Sequence, residues 1–242
     1  MKRNFPTVFH ISNWKAGSQW IRKIIEACVP GLTVTPRPYQ EQFLKDPIQT
    51  GKVYTTLYIT REQFYGVKLP PLWKRFIVFR DLRDTLISGY FSFRFSHPVI
   101  AGEIGMWRSA LETLNLEDGL IYVFNEWLPF NAAIQSSWLD EEDKILKYED
   151  LVRNDVEILE DVLLDKCQFQ VSRDVFREIV MSNRFEKLTG GRQRGVEDIN
   201  AHERKGVSGD WKTLFTDKVK DVFKNKYGHL LVETGYEKDL DW

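Results

Sequence analysis

Cysteine is almost missing: Cys28 and Cys167 are the only two in 242 residues. Two are too few for a disulfide framework, and each stands among apolar neighbours as a packing residue does, which fits a reducing, cytoplasmic setting. Long apolar runs are missing too. No stretch nears the roughly 18 apolar residues of a membrane span, and Met1-Lys-Arg leads almost at once into the strand-like Thr7-Val-Phe-His-Ile11 instead of a signal-peptide core. Nor does one sign of charge dominate: 34 Lys plus Arg face 35 Asp plus Glu, a formal net charge of −1. No overall field therefore draws the chain to nucleic acid or to an acidic membrane, and any anion site is local. The sequence has no internal repeat and no coiled-coil pattern from which an oligomeric state could be read. It also has no His, Cys or carboxylate cluster at metal-ligand spacing, so no metal is expected.

What is present supports one large domain over residues 1–242, since 43% hydrophobic and 14% aromatic content can fill a sizeable core. Val8-Phe-His-Ile11 reads as a strand, Gly17 as a turn, and Trp20, Ile21, Ile24, Ile25 and Cys28 as a helical stripe. Residues 29–51, with four prolines, read as a connection, after which the sheet resumes at Val53. Lys52–Tyr58 and Arg75–Phe79 have the apolar density of buried strands, and Asp143–Tyr148 supplies another. Segments around 103–135 and 154–187 are mostly helical in period, and a helix from Thr216 to Tyr227 meets a stop signal at Gly228. Strand and helix alternating in this way predict an α/β fold, a parallel sheet with helices on both faces.

Three segments carry the chemistry. The first is Trp14-Lys-Ala-Gly-Ser-Gln-Trp20, a strand-to-helix turn whose free backbone N–H groups and helix dipole suit a phosphate. Gly17 permits close approach, Ser18 and Gln19 add donors, and Lys15 can set its ammonium on a leaving oxygen. It is P-loop-like without being a Walker loop, in which the lysine follows the last glycine instead of preceding it. The second is Arg80-Asp-Leu-Arg-Asp-Thr-Leu-Ile-Ser88, where Arg80 ends a strand and Ser88 lies about two turns into the next helix, so both can reach one phosphate. The competing reading pairs Arg80 with Asp84. The third is Arg204-Lys-Gly-Val-Ser-Gly-Asp-Trp-Lys-Thr-Leu-Phe-Thr216: Arg204 and Lys205 bring charge, Gly206 frees the backbone, and Asp210 seats the following helix.

Together these segments resemble the cytosolic-type sulfotransferases, which move a sulfuryl group from 3′-phosphoadenosine-5′-phosphosulfate (PAPS) to a hydroxyl or amine and release PAP. The third segment reproduces the family's Arg-Lys-Gly-x-x-Gly-Asp-Trp-Lys-x-x-Phe-Thr at every specified position. The first departs from Lys-Ser-Gly-Thr-Thr-Trp through Ala16, Ser18 and Gln19 while keeping Lys15, Gly17 and Trp20. The second has Asp81-Leu82 for the usual Asn-Pro. The resemblance implies that Lys15, Ala16, Gly17, Ser18 and Gln19 hold the 5′-phosphosulfate and that Arg80, Ser88, Arg204, Lys205 and Gly206 hold the 3′-phosphate. It further implies that Trp20, Tyr148 and Phe185 contact the adenine.

The family's acceptor base, a His in Lys-Thr-His-Leu-Pro, is missing. Counting back from Arg80 reaches Leu57-Tyr58 in Thr55-Thr-Leu-Tyr-Ile-Thr-Arg-Glu62. His10 and Glu62 are the candidate replacements, with Tyr58 disfavoured by an ordinary pKa of about 10. His97, preceding Pro98, reads as a helix end or as a border of an acceptor pocket, and His202 and His229 read as surface residues. Two other readings stay open. One is a PAPS- or PAP-binding protein without catalysis, and the other a nucleotide kinase or hydrolase using Tyr148-Glu149-Asp150 as a metal-binding strand end. The acceptor is a small molecule, glycan or lipid, with aromatic residues of Tyr90–Phe95, Trp107 and Trp127 as candidate pocket walls or plain core.

Overall fold

Strand β1 (Thr7–Ser12) is buried along its whole length and forms the middle of the molecule. In the computed structural model, which describes residues 5–99, 102–139 and 144–242, five parallel strands lie in the order β2-β3-β1-β4-β5. The others are β2 (Thr33–Val34), β3 (Val53–Leu57), β4 (Trp73–Phe79) and β5 (Ile145–Lys147). Parallel strands need crossovers that cover the sheet, which is why the central strands are apolar on both faces instead of alternating. The predicted strand end Asp143 lies outside the described residues.

The first crossovers use α1 (Ser18–Cys28), the short α2 (Glu41–Leu44) and α3 (Arg61–Tyr65). After β4 come α4 (Leu82–Phe91), α5 (Gly102–Thr113), α6 (Leu116–Glu126) and α7 (Leu128–Ser137). Beyond β5 lie α8 (Tyr148–Arg153), α9 (Asp155–Glu160), α10 (Arg173–Ser182), α11 (Phe185–Leu188), α12 (Trp211–Leu214) and α13 (Asp217–Glu233). One face of the sheet, Val8, Phe76 and Val78, packs on Ile21, Ile24 and Ile25 of α1 and on Phe176 and Val180 of α10. The opposite face, Phe9, Ile11 and Ile77, packs on Phe43, Phe64 and Trp138. A third cluster joins α4, α6 and α13 through Leu86, Phe124 and Phe223. Among the described residues no helix is long and apolar enough to cross a membrane.

Two expectations needed revision, those for residues 29–51 and for Gly228, and the helical reading of 103–135 gains detail. Residues 29–51 include the edge strand β2. The helical region 103–135 is three helices, broken where Asn115 caps α6 by accepting the Asp118 N–H at 3.0 Å and where Trp127 precedes Pro129. Gly228 does not end α13. A Cβ there would lie 2.9 Å from Leu240 Cδ2, so the missing side chain makes room for the C-terminal segment, and the helix runs on to Glu233.

Candidate active site

The first two charged segments emerge at the carboxyl ends of β1 and β4, where neighbouring parallel strands diverge and leave a crevice, and the third, from the loop between α11 and α12, packs against them. β1 delivers Asn13, whose side chain is fully buried. Its Oδ1 accepts the Arg80 N–H at 3.1 Å and the Gln135 amide at 3.2 Å, while its own amide donates to the Trp14 carbonyl at 2.9 Å and to Thr85 Oγ1 at 3.2 Å. The Trp14 N–H donates to Asn131 Oδ1 at 2.8 Å. Held at both ends, the loop takes Lys15 to φ 66° and Gly17 to φ 75° before α1 starts at Ser18. Left-handed backbone at two positions turns the chain sharply enough to present the first N–H groups of α1 to the crevice. A Cβ on Gly17 would sit 2.7 Å from Tyr148 Cε2, so this glycine also lets the Tyr148 ring lie across the loop.

Arg80 is the brace. Its Nη1 donates to the Lys15 carbonyl at 3.1 Å and its Nη2 to the Val207 carbonyl at 3.2 Å, which ties the first and third segments to the second. The guanidinium lies 4.8 Å from the centre of the Tyr148 ring, and Nε is buried with no hydrogen-bond partner among the described residues. Arg80 does not pair with Asp84. The Asp84 carboxylate accepts the backbone N–H of Gly209 at 2.5 Å and of Trp211 at 3.2 Å, so it fixes the third segment against α4. Asp210 also departs from expectation: it does not cap α12 with its side chain but binds Lys205 Nζ at 2.8 Å and Arg204 Nη2. Arg204 also meets Glu197 and lies 4.4 Å above Phe91.

The resulting cleft is lined by Lys15, Gly17, Ser18, Gln19, Trp20, Arg80, Ser88, Tyr148, Phe185, Arg204, Lys205 and Gly206. Of the proposed nucleotide contacts only Ala16 is absent from the lining, its side chain being buried in the core. Phe185 forms a wall behind Gly206, whose Cβ would fall 2.6 Å from the ring. Lys15 Nζ donates to Ser92 Oγ at 3.1 Å. Burial chiefly, then repulsion by Arg80, lowers the Lys15 pKa to about 8, with Glu203 opposing. Ser18 Oγ and Tyr58 OH are 2.7 Å apart, and burial pushes the Tyr58 hydroxyl up to about 12.

Neither candidate base from the sequence reaches the cleft. His10 is fully buried, its ring stacked on Phe76 at 4.6 Å, and burial lowers its pKa to about 3. It lies inside the sheet because β1 has strands on both sides and helices above and below. Glu62 is exposed at the start of α3. The aromatic residues considered as acceptor walls are mostly core: Tyr90, Phe93 and Trp127 are buried, with Phe93 and Trp127 in edge contact at 5.0 Å. His97, one of whose two sequence readings is a pocket border, lines the cleft, as do Trp14 and His202, which the sequence did not single out as site residues; Ser92 holds Lys15.

The family model of the sulfotransferase domain matches residues 69–235, more than half of the chain. Human sulfotransferase 1C2 is 25% identical over a 247-residue alignment that covers 88% of this chain and 79% of the relative. A crystal structure of mouse sulfotransferase SULT7A1 complexed with PAP superposes with a TM-score of 0.63 at 18% identity, covering 97% of this chain and 88% of that one. Retinol dehydratase in complex with retinol and PAP gives a TM-score of 0.57 at 14% identity, covering 97% and 84%. Retinol dehydratase with androsterone and PAP gives 0.59 at 14%, covering 95% and 81%. At these identities the structural likeness establishes the fold.

Proposed function

This chain belongs to the sulfotransferase family, and from that premise we propose that it transfers the sulfuryl group of PAPS to a hydroxyl or amine of a small apolar acceptor, with Lys15 stabilising the leaving phosphate oxygen. The observation that carries the reading is the Arg80 brace, which brings carbonyls of the Lys15 loop and the Arg204 segment to one guanidinium. A doubly anionic nucleotide needs cations at two separated points. Lys15, Ser18 and Gln19 from one segment and Arg204 and Lys205 from another line the same cleft, and we assign the first group to the 5′ end and the second to the 3′ end.

The residues fit that ligand. Gly17 and Gly206 let the Tyr148 and Phe185 rings close onto the backbone beside the cleft, Arg80 Nε is a buried donor without a partner among the described residues, and Trp20, Tyr148 and Phe185 offer aromatic surface for adenine. PAPS supplies the activated sulfuryl group. Lys15, Gly17, Ser18 and Gln19 bind its 5′ end and exclude water there. Arg80, Ser88, Arg204, Lys205 and the Gly206 backbone orient its 3′ end. The Lys15 ammonium acts where negative charge grows as the S–O bond stretches, so it lowers the transition state more than the ground state. Retinol and androsterone in the related complexes support a small apolar acceptor, and Trp14 and Tyr58, with ring centres 5.2 Å apart, give the cleft an aromatic side for one.

A kinase-like use of Glu149 and Asp150 fits poorly. Glu149 accepts the Asp81 N–H at 3.1 Å and the Tyr236 hydroxyl at 3.2 Å, and Asp150 stands on the surface near Arg153. Incubation with labelled PAPS and a library of hydroxyl acceptors in EDTA tests the proposal. A sulfated product and PAP are expected; a protein that binds PAP and sulfates no acceptor is a binding protein, and the proposal fails.

A further inference from the structure

The acceptor's proton needs a destination, and on the reading above we infer that His97 Nε2 receives it, so that His97 is the catalytic base of this chain. The chain from Ser92 to Ser96 forms one π-helical turn directly after α4, a form that is costly in a helix and is concentrated at functional sites. Its closing bond runs from the His97 N–H to the Ser92 carbonyl at 2.7 Å. The Ser92 hydroxyl accepts from Lys15 Nζ at 3.1 Å. One residue thus touches both the cation proposed for the leaving oxygen and the backbone that carries the imidazole. Arg108 braces the same turn, donating to the Phe93 carbonyl at 2.9 Å and to the His97 carbonyl at 2.5 Å.

The ring is set for the task. His97 lines the cleft with Lys15 and lies nearly parallel to Trp14, 16° between planes and 6.4 Å between centres. Nδ1 is 2.8 Å from the Pro98 carbonyl. A carbonyl only accepts, so Nδ1 carries the hydrogen and Nε2 keeps its lone pair. The charged groups facing the ring are Lys15 from the first loop, Arg108 from α5 and His202 from the loop before Arg204; burial, Lys15 and Arg108 lower its pKa, with the Pro98 carbonyl opposing. It is therefore neutral near pH 7. In the step, the acceptor oxygen bonds to sulfur while its proton passes to Nε2. The bond from sulfur to the bridging phosphate oxygen breaks, its electron pair stays on that oxygen beside Lys15, and His97 later releases the proton to water. The other candidates fail on position or acidity: His10 is sealed in the sheet, Glu62 is outside the cleft and Tyr58 titrates at about 12.

The test compares His97→Gln and His97→Ala with wild type and with His202→Gln, measuring PAP affinity together with kcat and kcat/KM against pH. Loss of a general base predicts a fall in kcat of about 10²–10⁴-fold for both His97 variants, PAP affinity within about twofold of wild type, loss of the acidic limb of the pH profile, and partial rescue of His97→Ala by added imidazole. Retained activity in His97→Gln with the acidic limb intact overturns the inference, as does loss of that limb in His202→Gln alone. Failure of the sulfotransfer reading is distinguishable, because it shows in the wild type, which would then turn over no acceptor.

Discussion

Lys15→Ala lowers kcat by about 10²–10³-fold, the loss typical of one preorganised charge at a developing oxyanion, while the melting temperature stays near that of wild type. Among the described residues the ammonium has one partner at hydrogen-bond distance, Ser92 Oγ, and the loop around it is held by Asn13, Asn131 and Arg80 through backbone and amide contacts that survive the substitution. Shape is kept and charge is lost. The pH dependence has a definite sign. A lysine is cationic below its pKa, and burial beside Arg80 lowers Lys15 from 10.5 to about 8. The kcat/KM of the wild type, which reports the free enzyme, falls as pH rises through about 8. An anionic nucleotide beside the ammonium favours its charged form, so the alkaline limb of kcat lies at higher pH. Stopped assays from pH 6 to 10 check both limbs, and Lys15→Ala is expected to lack the alkaline one. A variant with wild-type kcat removes Lys15 from the chemistry.

Gly206→Ala weakens PAP binding by about one to two orders of magnitude. Two costs combine at this position. The backbone is at φ 67°, where alanine is strained, and the new methyl would lie 2.6 Å from Phe185 Cδ2 and 2.8 Å from Cγ and Cε2. Phe185 is buried and begins α11, so its ring cannot swing away without losing its packing. Overpacking of this kind costs about 1–3 kcal/mol, here charged to the wall assigned to adenine. Gly209→Ala is the control. Its φ is 91° and a Cβ would meet nothing within 4 Å, so it carries backbone strain without the ring clash. Calorimetric titration of PAP into both variants separates the terms; equal losses in the two would mean that Phe185 is no part of the nucleotide wall.

The sheet was legible because its central strands are buried on both faces. Val8–Ile11, Lys52–Tyr58 and Arg75–Phe79 read as strands without any partner in view, and each overlaps an observed one. β2 was not legible, since two residues in a proline-rich stretch give no period. The stripe Ile21, Ile24, Ile25 and Cys28 was legible and is the buried face of α1. Gly228 misled because a helical glycine marks either an end or a close neighbour, and only coordinates show Leu240 against it.

The site divides in the same way. Motif spacing brought out Lys15, Arg80 and Arg204, because anion recognition needs those residue types next to glycines. It did not bring out the contacts that make them one site. Asn13, Asp84 and Gln135 look ordinary in sequence, yet they fasten strand ends and loops up to 127 residues apart. Burial was hidden for a related reason. His10 is near Lys15 along the chain, but a central strand seals it, whereas His97, the base proposed above, lines the cleft after a π turn that no simple periodicity announces.

The central claim is that Lys15, Arg80 and Arg204 grip one adenine nucleotide at both ends, and titration calorimetry in EDTA tests it most directly. PAP is expected to bind one per chain, at least about tenfold more tightly than adenosine 5′-phosphate, which lacks the 3′-phosphate, a gap of about 1.4 kcal/mol or more. Arg204→Met is expected to shrink that gap. Tighter binding of magnesium ATP than of PAP, or PAP affinity indifferent to the 3′-phosphate, would contradict the account.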